Sequence, residues 1–196
     1  MTIAREAVHR FTREEYYQMV EAGIFQDKRV ERLGGEILDM APQNHPHAWT
    51  VAVLNQFLTR HLPEGFFVRC QSPLEIRDEH DPEPDLAVIA GNIRELRSHP
   101  QSAALVIEVA DDSLRRDRRK AAIYAMAQIP EYWIVDVRGR QIVQYTQPRV
   151  VQGRGAEGPE ERFEYAVIRA LNEPEVIVSE TLALPANRVG DLRPPS

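Results

Sequence analysis

The stretch from Ala104 to Val137 limits the possible folds more than any other part of this sequence. Ala104-Leu105-Val106-Ile107-Glu108-Val109-Ala110 is a short and almost wholly apolar run, the pattern of a buried strand. Residues 113 to about 128 then read as a helix, Pro130 breaks it, and residues 132–137 form a second apolar strand. Strand, helix and strand in this order make the middle of the chain α/β.

The flanking segments extend the same class. Thr12 followed by Glu15 is a capping-box pattern that opens a helix running to about Glu21, with Gly23 to end it. Residues 30–33 and 36–40 flank Gly34-Gly35, as in a two-residue hairpin whose turn requires positive φ. Trp49, Val53, Leu54, Phe57, Leu58 and Leu62 recur at helical spacing, so residues 47 to about 61 are predicted as a long amphipathic helix on a sheet. Further strands are predicted at 66–70, 74–76, 86–90, 141–147, 163–168 and 176–178. Residues 153–161 have loop composition, and the segment after Leu184 carries no recognisable chemistry.

Bulk properties set limits on this picture. A chain of 196 residues with 43% hydrophobic content has material for one substantial core, so one domain over 1–196 is expected. No run approaches the roughly 18 apolar residues of a membrane helix, and the N-terminus lacks a secretory apolar run. A cytoplasmic protein with no membrane partner is therefore expected. The single cysteine, Cys70, is read as a small buried apolar residue. The net charge of −6 has the wrong sign for gripping nucleic acid by overall electrostatics, so any such contact must be local. Acids crowd at Glu75, Asp78, Glu79, Asp81, Glu83 and Asp85, while Arg115, Arg116, Arg118, Arg119 and Lys120 form a basic run. An acid-rich rim beside a basic stripe suits a metal-plus-phosphate site.

Glu108 carries the chemical argument. Burying an unpaired carboxylate costs several kcal/mol, so it must meet a cation, a metal or an arginine, or hold a proton. A structural ion pair would also satisfy it, but perturbed buried acids concentrate at functional sites. Asp85, after Pro84, opens the strand before it; on adjacent strands the two acids converge, and an all-oxygen pair of this kind suits Mg²⁺ or Mn²⁺. On the following helix Asp117, Lys120 and Tyr124 share one face, which lets Lys120 lean back toward Glu108. The alternative for this basic run is a solvated helix face.

The order Pro84-Asp85, Glu108-Val109, Asp117-Arg118-Arg119-Lys120 with Tyr124, then Pro130-Glu131-Tyr132-Trp133-Ile134-Val135-Asp136, resembles the bacterial putative restriction endonuclease family. This cyanobacteria-rich group was long catalogued as domain of unknown function 820 and belongs to the PD-(D/E)XK nuclease superfamily. Glu31-Arg32-Leu33-Gly34-Gly35-Glu36-Ile37 and His47 fit its N-terminal pattern, and the resemblance spans about Phe11 to Gln147. It implies a restriction-endonuclease-like α/β core over about 11–147, with a mixed central sheet flanked by helices, an N-terminal hairpin, and C-terminal strands and tail over 148–196. It implies Mg²⁺-assisted phosphodiester hydrolysis with Asp85 and Glu108 as metal-binding acids and Glu31 as an additional one. The superfamily's usual lysine position, two residues after the glutamate, is Ala110 here, and the resemblance makes Lys120 on the next helix the matching residue. His47, Asp117 and Tyr124 are supporting candidates, with Asp117 orienting Lys120 or pairing with an arginine. Tyr132 and Trp133 are read as core.

DNA is the expected substrate, and a two-fold dimer presenting two sites would cut both strands most simply. Two other classes stay open at this stage: a catalytically silent nuclease scaffold that binds nucleic acid or a protein partner, and a phosphoester hydrolase acting on small molecules.

Overall fold

The computed structural model describes residues 8–155, 158–192 and 194. Helix α1 (Arg13–Glu21) starts at Thr12 with the capping box in place, the Thr12 side chain on Glu15 N and the Glu15 carboxylate on Thr12 N. Strands β1 (Val30–Leu33) and β2 (Glu36–Asp39) form the hairpin around Gly34-Gly35, both at positive φ. A short strand, β4 (His80–Asp81), pairs with the other edge of β1 and makes a small three-stranded sheet.

The main sheet has six strands in the order β3-β5-β6-β7-β8-β9. These are β3 (Phe66–Cys70), β5 (Leu86–Ala90), β6 (Leu105–Ala110), β7 (Glu131–Asp136), β8 (Gln141–Gly155) and β9 (Gly158–Asn172). Only β6 and β7 run parallel, joined through α3 (Leu114–Met126), and the other pairs are antiparallel. The fold is thus mixed α/β. Two further short strands, β10 (Val176–Ile177) and β11 (Asn187–Arg188), pair with each other near the C-terminal end.

The sheet lies between two helices because its central strands alternate two apolar faces. Val106, Ala110, Tyr132 and Ile134 pack with Ala121, Tyr124 and Ala125 of α3. Leu105, Ile107, Val109, Trp133 and Val135 pack on the other face with Leu54 and Leu58 of α2 (His45–His61). Tyr132 and Trp133 are core residues, as expected.

Three expectations from sequence are corrected. Residues 74–76 form no strand: Leu74 and Ile76 are buried, but only an isolated bridge links Ile76 to His80. The loop expected at 153–161 is overturned within the described residues, because β8 and β9 continue as a ladder to Gly155↔Gly158. Glycine and charge there signal an exposed hairpin arm, and residues 156–157 lie outside the described set. Cys70 is exposed: it is the last residue of β3, the edge strand of the main sheet. No helix of the described residues is long and apolar enough to cross a membrane.

Candidate active site

The site forms where β1, β5 and β6 meet the N-terminal half of α3. Period-two alternation puts Glu108 on the same side of β6 as Val106 and Ala110, facing α3. The register Leu86↔Ile107 continues to set Asp85 opposite Glu108, so neighbouring antiparallel strands bring the two acids together. Helical spacing then turns Asp117, Lys120 and Tyr124 inward as one buried face of α3.

The contacts are short and specific. Lys120 Nζ donates to Glu108 Oε1 at 2.9 Å and reaches Glu31 Oε2 at 2.7 Å, so it bridges strands β6 and β1. Tyr124 OH donates to the same Glu108 oxygen at 2.7 Å. Asp85 Oδ2 accepts the Val109 amide at 2.9 Å and lies 3.1 Å from His47 Nε2, while Oδ1 accepts from Gln71 Nε2 at 3.3 Å. His47 sits in the first turn of α2, its amide capped by Asn44. Asp117 is held by the Ser113 hydroxyl, and its carbonyl accepts from Tyr132 OH at 3.0 Å. It is therefore anchored by a hydroxyl and not by an arginine.

Glu31, Asp85, Glu108 and Asp117 are all buried, at 0%, 7%, 4% and 3% exposure, against a single buried ammonium, that of Lys120. Glu31 is thus no solvated hairpin acid. The excess of negative charge appears in the titration of the cluster. Burial pushes Glu108 up to about 8; Lys120 opposes this, and Asp117, Asp85 and Glu31 reinforce it. Burial likewise raises Asp117 to about 6 against the pull of Lys120 and Ser113. For Lys120 burial works against the charge, yet Glu108, Glu31 and Asp117 outweigh it and hold the ammonium above the ordinary lysine range. At His47 burial is likewise outweighed, and the Asp85 carboxylate leaves its pKa raised.

These groups line a cleft of about 90 Å³ together with residues 40–44 and with Asp111, Asp112 and Ser113. All seven residues singled out in the sequence for this site, Glu31, His47, Asp85, Glu108, Asp117, Lys120 and Tyr124, come together at or directly beneath it. Sequence reasoning missed Gln71, Ser113 and Arg29, and it named Arg116 only as one member of the basic run, without separating it from the arginines that do not line the cleft. Arg29 lies two residues from Glu31 and Arg116 four before Lys120, spacings that point each toward its neighbour's side; Gln71 offered no signal.

The Uma2 family, described as "Putative restriction endonuclease", matches residues 13–182. The chain belongs to the Uma2 family. A solved structure, that of a putative nuclease belonging to DUF820 from Anabaena variabilis, superposes with a TM-score of 0.70 at 14% identity, over 93% of this chain and 97% of that one. At that identity the likeness is one of fold. No curated protein matches the chain. The Uma2 match takes in every residue of the candidate site from Arg29 to Tyr124.

Proposed function

We propose that this Uma2 protein is a metal-dependent endonuclease that hydrolyses phosphodiester bonds in DNA. The observation that carries the reading is the position of Lys120: a helix lysine buried between Glu31 and Glu108, beside Asp85, supplies the cation that the Ala110 position lacks.

The donor set suits a hard divalent cation such as Mg²⁺ or Mn²⁺. All the acids offer oxygen, and Glu31 Oε1 is buried with no hydrogen-bond partner. Among the described residues nothing donates a hydrogen bond to Glu108 Oε2, and four buried carboxylates outnumber one ammonium. Asp85 and Glu108 would hold the ion, with Glu31 as a further ligand. When bound, it supplies Lewis-acid polarisation of the phosphoryl group and a lowered pKa for water. The protein's own groups do the rest. Lys120 stabilises charge developing on the phosphate. Tyr124 fixes the Glu108 oxygen that Lys120 also contacts, and His47, Gln71 and the Val109 amide fix Asp85. Asp117 adds negative potential that keeps Lys120 protonated. The protein would act in the cytoplasm as a homodimer, two sites serving two strands.

One observation favours a second reading, a catalytically silent scaffold that binds nucleic acid or a protein partner. Among the described residues no three carboxylate or histidine groups converge as a ready metal site, since the Lys120 ammonium stands between two of them. Metal titration of wild type and Lys120→Ala separates the two. The nuclease reading expects Mn²⁺ binding in both proteins, tighter in the variant because a competing cation is gone, with activity falling at least about a hundredfold. Absence of binding in both favours the scaffold.

A further inference from the structure

We infer that Arg29 and Arg116 are substrate-positioning residues that clamp the backbone phosphate of a single DNA strand at the mouth of the cleft, and that the strand continues into the groove beside it. The inference rests on the phosphodiesterase reading and adds to it the groups that bring the substrate in.

The cleft needs such groups. Its interior is dominated by carboxylates, and its lining adds Asp111 and Asp112, so an approaching phosphodiester is repelled unless cations face it. Lys120 cannot greet it alone, since it is buried and committed to two carboxylates. Arg138 is spent on Asp111 at 2.9 Å and Asp112 at 2.6 Å. Arg115, Arg118 and Arg119 lie on the exposed side of α3 and do not line the cleft.

Arg29 and Arg116 differ from all of these. Both line the cleft with side chains 41% and 33% exposed. Their ion pairs are long, 3.4 Å from Arg29 to Glu83 and 3.8 Å from Arg116 to Glu31, and Arg116 otherwise gives one Nη1 hydrogen bond to the Asp39 carbonyl. Each thus keeps donors of its planar fork for a phosphate, the bidentate geometry that favours arginine over lysine. Arg116 stands one turn before Lys120 on α3, and Arg29 two residues before Glu31, so each is tied to an element that carries a site residue.

A second groove of about 720 Å³ shares Arg29 and residues 40–43 with the cleft and extends past Lys28 and Gln71. This is the scale of a pocket for a drug-sized ligand, which one nucleotide flanking the scissile phosphate matches. Its lining sets Arg29 and Gln71 for phosphate and sugar beside Met40 and Pro42 for apolar contact with a base; it also holds Asp27 and Asp39, and Lys28 lies 3.9 Å from Asp39, so Arg29 is the cation that faces the strand there.

The test uses the full chain carrying Asp85→Asn, so that a single-stranded DNA oligonucleotide is bound without being cut, in a salt series with Mn²⁺. Adding Arg29→Gln or Arg116→Gln is expected to weaken binding about tenfold each and to lower the salt slope by about one per arginine. Arg116→Lys should recover part of the loss, and Arg115→Gln, on the same helix but outside the cleft, should change neither quantity. In the otherwise wild-type enzyme the two glutamine variants should raise KM more than they lower kcat. Unchanged affinity and salt slope in both variants, in an enzyme that cleaves, would overturn the clamp and leave the nuclease reading standing. A wild type that neither binds nor cleaves oligonucleotides overturns both.

Discussion

Two acids, Glu108 and Glu131, sit in neighbouring apolar strands, and their surroundings separate a candidate site residue from a structural one. Glu131 is fully buried and accepts from Trp133 Nε1, Gln144 Nε2, the hydroxyls of Ser179 and Thr181, and the amides of Glu180 and Thr181. Both of its oxygens are satisfied, and it ties the segment after β10 to the sheet. Glu131→Ala would leave several buried donors unpaired, and a loss of about 3–5 kcal/mol is expected, measured by chemical denaturation. Glu108 is the opposite case, with its folded pKa near 8 and that of Asp117 near 6, both above the ordinary 4.5 and 3.8. Between those limits the metal-free native state holds protons that the unfolded chain has released, so stability falls as pH rises from about 4.5 to about 8. The raised pKa of His47 acts in the same direction above 6.5, while the lowered pKa values of His80 and His99 oppose it below 6.5. Glu108→Gln removes the Glu108 contribution: its melting temperature should exceed wild type by roughly 3 °C or more at pH 8 without metal, and the two should converge by pH 5. In sequence both residues are simply acids within apolar strands. Glu108 was legible as a candidate site residue only with Asp85 and Lys120 around it, and the role of Glu131 depends on donors some 50 positions away that no local pattern announces.

At the scale of elements, α3 was the most legible part of the chain. Its inward face could be read from spacing alone, and the structure turns Asp117, Lys120 and Tyr124 toward β6 as that spacing requires. The hairpin arm was the least legible. Glycines and charges at 153–161 suggested a loop, yet cross-strand pairing such as Arg149 with Glu164 carries the ladder outward. Strand identity there comes from partner pairing, which local composition does not record. Val150 pairs with Phe163, and most described side chains beyond that pair are exposed. Replacing residues 151–162 by Asn-Gly should therefore close a two-residue turn and shift the melting temperature by no more than about 3 °C. A large loss would show that the arm supports the core.

For the whole molecule, the proposed activity requires a net charge of −6 to coexist with binding to a polyanion. The cleft concentrates acids around one buried lysine, so the resting protein carries electrostatic repulsion that a divalent ion would relieve. Mg²⁺ should then stabilise the fold by about 2.7 kcal/mol at a hundredfold excess over Kd and raise the melting temperature accordingly, and a chelator should reverse the gain. The Asp85→Asn and Glu108→Gln variants should lose most of this increment. The most direct test of the account is cleavage of supercoiled plasmid at low salt with Mg²⁺ or Mn²⁺, comparing wild type with Glu108→Ala and Lys120→Ala. Metal-dependent nicking by the wild type, abolished in both variants, is the expected result; no cleavage with any metal, or cleavage indifferent to both substitutions, would contradict it.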